Sequence, residues 1–165
     1  MGVKSCIVCE VSSGKVQPPG GLLYKDSLWT VHHAAAADAE GPILLKGLLL
    51  VAPLRHVEQL HELTDEEARY LVPLLHDVTL ALWRCAKPKK IHVCSFDENI
   101  RHMHFYAIPR YDTMPTADLE MLGGIFRQKK YACPRKEAVA LALKLKAELE
   151  MLVESRKKSS DYLDM

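Results

Sequence analysis

The alternation of polar and apolar positions along the chain is most regular over residues 101–110. Even positions there carry His102, His104 and Tyr106, and the odd positions between them carry apolar side chains. Successive side chains on a strand point to opposite faces, so this pattern predicts a half-buried β-strand whose three polar rings share one face. We expect the strand to end at Pro109, because proline cannot donate a hydrogen bond to a neighbouring strand.

Four further segments have the alternation or the apolar composition of strands. They are residues 22–25, 28–32, 47–53 and 91–96. Asp26 and Ser27 predict a tight turn between the first two segments. The polar residues 97–99 predict a turn that pairs the last segment with the central strand as an antiparallel hairpin.

Helical spacing of apolar residues appears in the second half of the chain. Thr64 and Glu67 form a capping-box pattern and predict one long helix over about residues 65–86, in which Pro73 should cause a kink or mark the true start. Pro134 opens a C-terminal helix, and a short helix is expected at 117–122. This order of elements predicts an α+β fold on an antiparallel sheet. We expect residues 1–155 to form a single domain and 156–165 a solvated tail.

Charge and hydropathy narrow the function classes. The formal net charge is +1, which argues against a dedicated nucleic-acid surface. No apolar run approaches the roughly 18 residues that a membrane span requires, and the first residues lack the apolar segment of a signal peptide. We therefore expect a cytoplasmic protein with neither a membrane nor a nucleic-acid partner.

The five cysteines are an odd number in a chain without an export signal, which favours reduced thiols or metal ligands over a disulfide framework. Cys6 and Cys9 form a C-x-x-C pair that fits a redox motif, half of a zinc site or chance. A redox motif requires a strand before the pair, and only five residues precede Cys6. Zinc is favoured if two further ligands exist.

The motif running from His102 to Arg110 resembles the signature of the histidine triad (HIT) family, His-x-His-x-His followed by apolar residues and Pro-Arg. The resemblance extends over residues 6–112 and includes the C-x-x-C pair and the Pro-x-x-His arrangement that ends at His56. It implies an antiparallel sheet of about five strands. It also implies a closed, structural zinc site with four ligands, namely Cys6, Cys9, His56 and His102. The alternative is a surface His56 with the cysteines buried as apolar residues.

The same resemblance implies that His104 is a nucleophile that accepts a nucleotidyl group, which requires its ring to be accessible and not bound to zinc. Tyr106 replaces the third histidine of the family motif, and Leu48 replaces another frequent family histidine. A tyrosine can donate to phosphate, but its pKa of about 10 makes it a poor proton shuttle. Three residues are expected to contact the nucleotide. The resemblance implies this role for His33, and Ser95 and Asn99 are the candidates for phosphate contacts.

The resemblance implies a hydrolase or transferase that acts at the α-phosphate of a nucleoside 5′-phosphate derivative, through a nucleotidyl-histidine intermediate on His104. The leaving group would be a second nucleotide, an amine or a sulfate, and polyphosphate substrates can bring Mg²⁺ with them. One alternative is an inactive nucleotide-binding protein with a structural zinc. Another is a catalytic metal site that uses His102 and His104 together. The family also implies a homodimer.

Overall fold

The structure is a computed structural model that describes residues 6–34, 45–96, 100–116 and 131–161. Two predictions fall outside these ranges. The helix expected at 117–122 and the turn at 97–99, which contains Asn99, are not among the described residues.

Five strands form one antiparallel sheet in the order β1-β2-β3-β5-β4. Their bounds are β1 Leu22–Lys25, β2 Trp29–His33, β3 Leu49–Pro53, β4 Lys90–Cys94 and β5 Phe105–Arg110. The sheet and its helices confirm the predicted α+β fold. The antiparallel pairing of β4 with β5 also confirms the second predicted hairpin.

Three α-helices accompany the sheet: α1 Ile7–Ser12, α2 Asp65–Ala86 and α3 Arg135–Asp161, with a short 3-10 helix at Leu60–Glu62. α2 and α3 pack against each other and cover one face of the sheet, where most of the hydrophobic core lies. In the described part of the chain, no helix has the length and apolar character that crossing a membrane requires.

The C-terminal helix is longer than the sequence predicted. α3 continues through Asp161, across residues that we expected to belong to a solvated tail. Arg156 explains part of this extension, because its Nε donates to the buried Asp77 carboxylate on α2 at 2.7 Å. The ion pair fastens this part of the helix to the domain.

Two prolines lie inside regular elements rather than at their ends. α2 continues through Pro73, which removes one hydrogen bond to the carbonyl of Arg69, an exposed residue. β5 includes Pro109, where the sequence predicted its end. The pairing of β5 with β3 stops at Ala107, so Pro109 has a strand neighbour only on the β4 side and its missing N–H faces no partner strand.

The side chains of residues 101–110 are divided between the two faces of the sheet, as their alternation predicts. Met103 and Ala107 join the core on the helix side, and Tyr106 joins a second apolar cluster on the opposite face. The strand itself begins only at Phe105, so both triad histidines lie just before it. The expectation of a half-buried strand was wrong, because the second cluster also covers the face that carries Tyr106.

An ion pair connects the segment after β3 with the start of α2. Arg55 donates from Nε and Nη2 to the two carboxylate oxygens of Glu67, at 3.1 and 2.7 Å, and from Nη2 to the Glu62 carbonyl at 2.6 Å. Glu67 also completes the capping box, because it accepts from the Thr64 backbone N–H at 2.7 Å. These contacts fix the backbone immediately before His56.

We expect Arg55→Met to lower the free energy of unfolding measurably at pH 7 and by less at pH 3, because it leaves a buried carboxylate with fewer donors. The hydrogen bonds from Arg55 are the main cause that holds the pKa of Glu67 below its ordinary value. This stabilisation is present above the unfolded-state pKa of about 4.3 and is lost as the pH falls through the folded-state pKa. Urea unfolding at pH 7 and pH 3 measures the difference.

Arg69→Met, at an exposed position of the same helix, is the matched control and should change stability by less than about 0.5 kcal/mol. A loss in the Arg55 variant that is equal at both pH values would contradict the ion-pair explanation.

Candidate metal site and active site

The four predicted zinc ligands lie together. Cys6 and Cys9 belong to the first turn around α1, His56 follows β3, and His102 precedes β5. One ligand atom from each residue lies within 4.8 Å of the others. The folded chain therefore assembles side chains from three separate segments into one cluster.

The distances within this cluster fit a tetrahedral metal. Cys6 Sγ and Cys9 Sγ both lie 3.4 Å from His102 Nδ1, and Cys9 Sγ lies 3.3 Å from His56 Nδ1. With Zn–S near 2.3 Å and Zn–N near 2.0 Å, tetrahedral angles place sulfur and nitrogen ligands about 3.5 Å apart. Two sulfurs and two nitrogens at this spacing can hold Zn²⁺ in a closed site.

His102 has the tautomer that such a site requires. Its Nε2 lies 2.9 Å from the Pro53 carbonyl, which can only accept, so this nitrogen carries the proton. Nδ1 then keeps a free lone pair directed toward both sulfurs. Burial lowers the pKa of His102, which favours this neutral form.

The Cys9 thiol shows the opposite tendency, because its surroundings favour the protonated form, which coordinates a metal poorly. Burial, together with the neighbouring Cys6 thiol, raises the pKa of Cys9 to about 11. Two adjacent thiolates are stable only beside a compensating positive charge, and a coordinated metal provides one. The chemistry of the donor set therefore fits zinc.

The two ring nitrogens of His104 have the opposite roles from those of His102. Its Nδ1 donates to the His102 carbonyl at 2.7 Å, so Nε2 is unprotonated in the neutral ring. Nε2 is buried and has no hydrogen-bond partner among the described residues. The predicted accessibility of this ring is not found: it is only 2% exposed, and the Tyr106 ring packs edge-on against it at 4.8 Å.

A cavity of about 500 Å³ adjoins His104. Ser95, one of the predicted nucleotide contacts, lines this cavity together with Phe96 and Arg101. The remaining lining residues are Glu58, Gln59, Ile100, His102 and Met103. The cavity brings the predicted phosphate contact Ser95 and the predicted nucleophile His104 into one space.

His33 lies elsewhere. It is completely buried, its Nε2 accepts from the Gly47 backbone N–H at 2.9 Å, and its Nδ1 donates to the Ala34 carbonyl at 2.9 Å. By strand alternation it shares the helix-side face with Val31, on the other side of the sheet from His104. The ring connects the end of β2 with the residue that leads into β3, and its role in nucleotide binding remains a prediction.

The neighbouring His32 lies on the face of the sheet that carries Tyr106. The register pairs His32 with Leu50 on β3 and Leu50 with Tyr106 on β5. The sequence analysis chose His33 over the adjacent His32 for contact with the nucleotide, and the observed register places His32, not His33, on this face.

No family model matches the sequence. Two curated proteins are similar over most of their length. Protein hit of Bacillus subtilis is 26% identical over 113 residues, which cover 66% of this chain and 72% of that protein. Adenosine 5′-monophosphoramidase hnt1 of Schizosaccharomyces pombe is 30% identical over 111 residues, which cover 64% of this chain and 74% of that protein.

Solved structures share the fold at lower identity. A hypothetical histidine triad nucleotide-binding protein of Sulfolobus tokodaii superimposes with a TM-score of 0.64 at 15% identity, over 89% of this chain and 93% of that one. A zinc-bound histidine triad family protein of Mycobacterium smegmatis gives a TM-score of 0.62 at 16% identity, over 92% and 97%. These likenesses concern the fold alone. Together with the sequence relatives and the triad motif, they lead to one conclusion: the chain belongs to the histidine triad family.

Proposed function

We propose that this protein is a nucleotidyl hydrolase or transferase that acts at the α-phosphate of a nucleoside 5′-phosphate derivative, with His104 as the nucleophile. The observation that carries the proposal is the state of the His104 ring. Its Nδ1 donates a hydrogen bond to the His102 carbonyl, so Nε2 keeps a lone pair. This lone pair has no hydrogen-bond partner among the described residues. A neutral imidazole nitrogen of this kind is the group that attack on phosphorus requires.

The reaction would proceed in two displacements. His104 Nε2 forms a bond to the α-phosphorus while the bond to the leaving group breaks, and the leaving group departs with its electron pair and takes a proton from a nearby donor. Water or another hydroxyl then attacks phosphorus and gives its proton to the group that had protonated the leaving group, while the P–N bond breaks and its electron pair returns to Nε2. The hydrogen bond to the His102 carbonyl would stabilise the ring while it carries the nucleotidyl group.

Substrate would reach His104 from the adjoining cavity, with local movement of the side chains that bury Nε2. Ser95 lines this cavity and can donate its hydroxyl to a phosphate oxygen. Arg101 adds a cation at the same opening. Asn99 and Tyr106 remain candidates for phosphate contacts from the family pattern.

Zinc would be held by Cys6, Cys9, His56 and His102, where a closed four-ligand site supplies structural stability rather than an activated water. The name of the Mycobacterium smegmatis relative, which is zinc-bound, supports this part of the proposal. The name of the yeast relative, an adenosine 5′-monophosphoramidase, supports adenosine as the nucleoside and an amine as the leaving group. The homodimer is proposed from the family resemblance alone.

Release of AMP from three substrate types tests the proposal. The purified protein is incubated with an adenosine phosphoramidate, a diadenosine polyphosphate and adenosine phosphosulfate, and AMP is quantified by chromatography. We expect release from the phosphoramidate, together with a transient adduct of one AMP per chain in mass spectra of quenched reactions. The absence of both AMP and adduct with every substrate would contradict the proposal.

A nucleotide-binding protein without turnover is the second candidate. The burial of His104 and the presence of Tyr106 and Leu48 at family histidine positions favour it. Calorimetric binding of AMP without release from any substrate would decide for this candidate.

A further inference from the structure

One guanidinium lies at the cavity beside the proposed nucleophile. Arg101 lines this cavity together with His104, and among the described residues no other arginine or lysine does so. The side chain of Arg101 is exposed, and none of the described carboxylates forms an ion pair with it. An arginine stays positively charged in proteins and presents several N–H donors in a planar fork. Arg101 is therefore available to bind an anionic group of a ligand in the cavity.

The backbone on both sides of Arg101 is held in place. The His102 N–H donates to the Ile100 carbonyl at 2.7 Å, which makes a γ-turn with Arg101 at its centre. The His102 ring belongs to the four-ligand cluster, and the Met103 N–H donates to the Val57 carbonyl at 2.7 Å. The guanidinium therefore projects from a fixed point in the segment that also carries the nucleophile.

The same cavity carries one carboxylate among its described lining residues. Glu58 has an exposed side chain, and it forms no ion pair with Arg101. The two opposite charges are therefore separate, which leaves room for an anionic group beside Arg101. Because the Glu58 carboxylate repels such a group, its removal should have the opposite effect on binding from the removal of Arg101.

Proton donors that act near neutral pH are scarce in the described part of the cavity wall. Its two histidines have other roles in the proposed function, because His102 would hold zinc and His104 would attack phosphorus. Tyr106, which packs against the His104 ring, is a poor proton shuttle. The guanidinium of Arg101 does not give up its proton either. This set of groups suits a leaving group that departs without taking up a proton.

The chemistry of departure separates two substrate classes. When an amine leaves, its nitrogen keeps the electron pair of the broken P–N bond and must take up a proton. When a phosphate or a sulfate leaves, its bridging oxygen keeps the electron pair of the broken P–O bond and departs as an anion, so the first displacement needs no proton. The proton of the water that attacks in the second displacement then goes to solvent. A guanidinium beside the departing oxygen stabilises its negative charge through charge-assisted hydrogen bonds.

The direction of attack places the leaving group in the open part of the cavity. The leaving group departs in line with His104 Nε2, on the far side of phosphorus, and Nε2 itself is buried. We propose that Arg101 binds this leaving group and gives the protein a preference for phosphate and sulfate leaving groups over amines, an inference that rests on the function proposed above. A phosphoramidate is still a substrate, with a lower kcat/KM.

The test compares substrates rather than absolute rates. Wild type and Arg101→Gln are assayed for AMP release from a diadenosine polyphosphate, adenosine phosphosulfate and an adenosine phosphoramidate. In wild type, kcat/KM should be higher for the first two substrates than for the phosphoramidate. In Arg101→Gln, this ratio should fall by roughly 10-fold, as expected for the loss of one charge-assisted hydrogen bond. A wild-type preference for the phosphoramidate, or an unchanged ratio in a folded variant, would overturn the proposal.

Three further variants separate the effect of charge from a loss of structure. Arg101→Lys keeps the charge without the planar fork and should keep part of the ratio. Glu58→Gln removes the repelling carboxylate and should raise the ratio, and a lower ratio would contradict the charge explanation. Arg69→Gln, at an exposed position of α2 outside the cavity wall, is the matched control and should keep the wild-type ratio. Metal analysis and a thermal melt show whether Arg101→Gln retains its zinc and its fold, whose loss would lower kcat/KM equally for all three substrates.

Equilibrium binding separates this inference from the proposed function. AMP and ADP are titrated into wild type and Arg101→Gln by calorimetry, because ADP carries a phosphate beyond the α-phosphorus. Wild type should bind ADP roughly 10-fold more tightly than AMP, and the variant should lose this difference. Equal binding of the two nucleotides to wild type overturns the role of Arg101 and leaves the nucleotide site intact. The absence of any binding overturns both.

Discussion

Replacing His104 with glycine is expected to reduce AMP release by about 10,000-fold or more, the range seen when an enzyme loses its covalent nucleophile. The reason is that His104 lines the cavity and its Nε2 is the nitrogen that the proposed reaction uses. This atom has no hydrogen-bond partner among the described residues, because the other ring nitrogen makes the bond to the His102 carbonyl. The adduct of one AMP per chain should also be absent from mass spectra of quenched reactions. Single-turnover assays with wild type and variant measure both effects.

Two further variants exclude a general loss of structure. His104→Asn keeps a polar side chain of similar size, and it should be as inactive as the glycine variant. His92→Asn makes the same change at a partly buried position of β4, and it should retain most of the activity. Residual AMP release above about one percent in both His104 variants would mean that another group is the nucleophile.

Replacing Cys6 with serine is expected to remove bound zinc and to lower the thermal unfolding midpoint by about 10 °C. A metal present at 1,000 times its dissociation constant stabilises the native state by about 4 kcal/mol. For a domain of this size, each kcal/mol corresponds to roughly 2–4 °C. Metal analysis of the purified protein and a thermal melt with and without a chelator give the two readouts.

Cys85→Ser is the matched control, because Cys85 is a half-buried free thiol on α2 outside the four-ligand cluster. It should keep one zinc per chain and a midpoint close to that of wild type. His104→Gly should also keep its zinc, which separates a structural site from a catalytic one that uses both triad histidines. Loss of zinc from the His104 variant would favour the shared catalytic site.

The parts of the fold that depend on local periodicity could be predicted from the sequence. Alternation alone assigned Met103 and Ala107 to the core side and Tyr106 to the other face, and the capping pattern at Thr64 marked the start of α2. Both features depend on residues only two to four positions apart. They therefore need no knowledge of the tertiary structure.

The errors arose where distant segments meet. Local periodicity could not show that α1 and apolar residues such as Leu50 close the second face of the sheet, and so the burial of His104 was unexpected. The continuation of α3 likewise depends on the contact of Arg156 with Asp77, 79 positions earlier. The zinc ligands come from three segments, and only the family resemblance indicated that they belong together.

One peptide carbonyl joins the two candidate centres. The His102 residue offers its ring to the four-ligand cluster and its carbonyl oxygen to the His104 ring. A single-residue insertion between them would move the His104 ring away from the His102 carbonyl and break this shared contact. Insertions and deletions at this point would thus be far less tolerable than substitution of Met103, and redesign of either centre must preserve the two-residue separation.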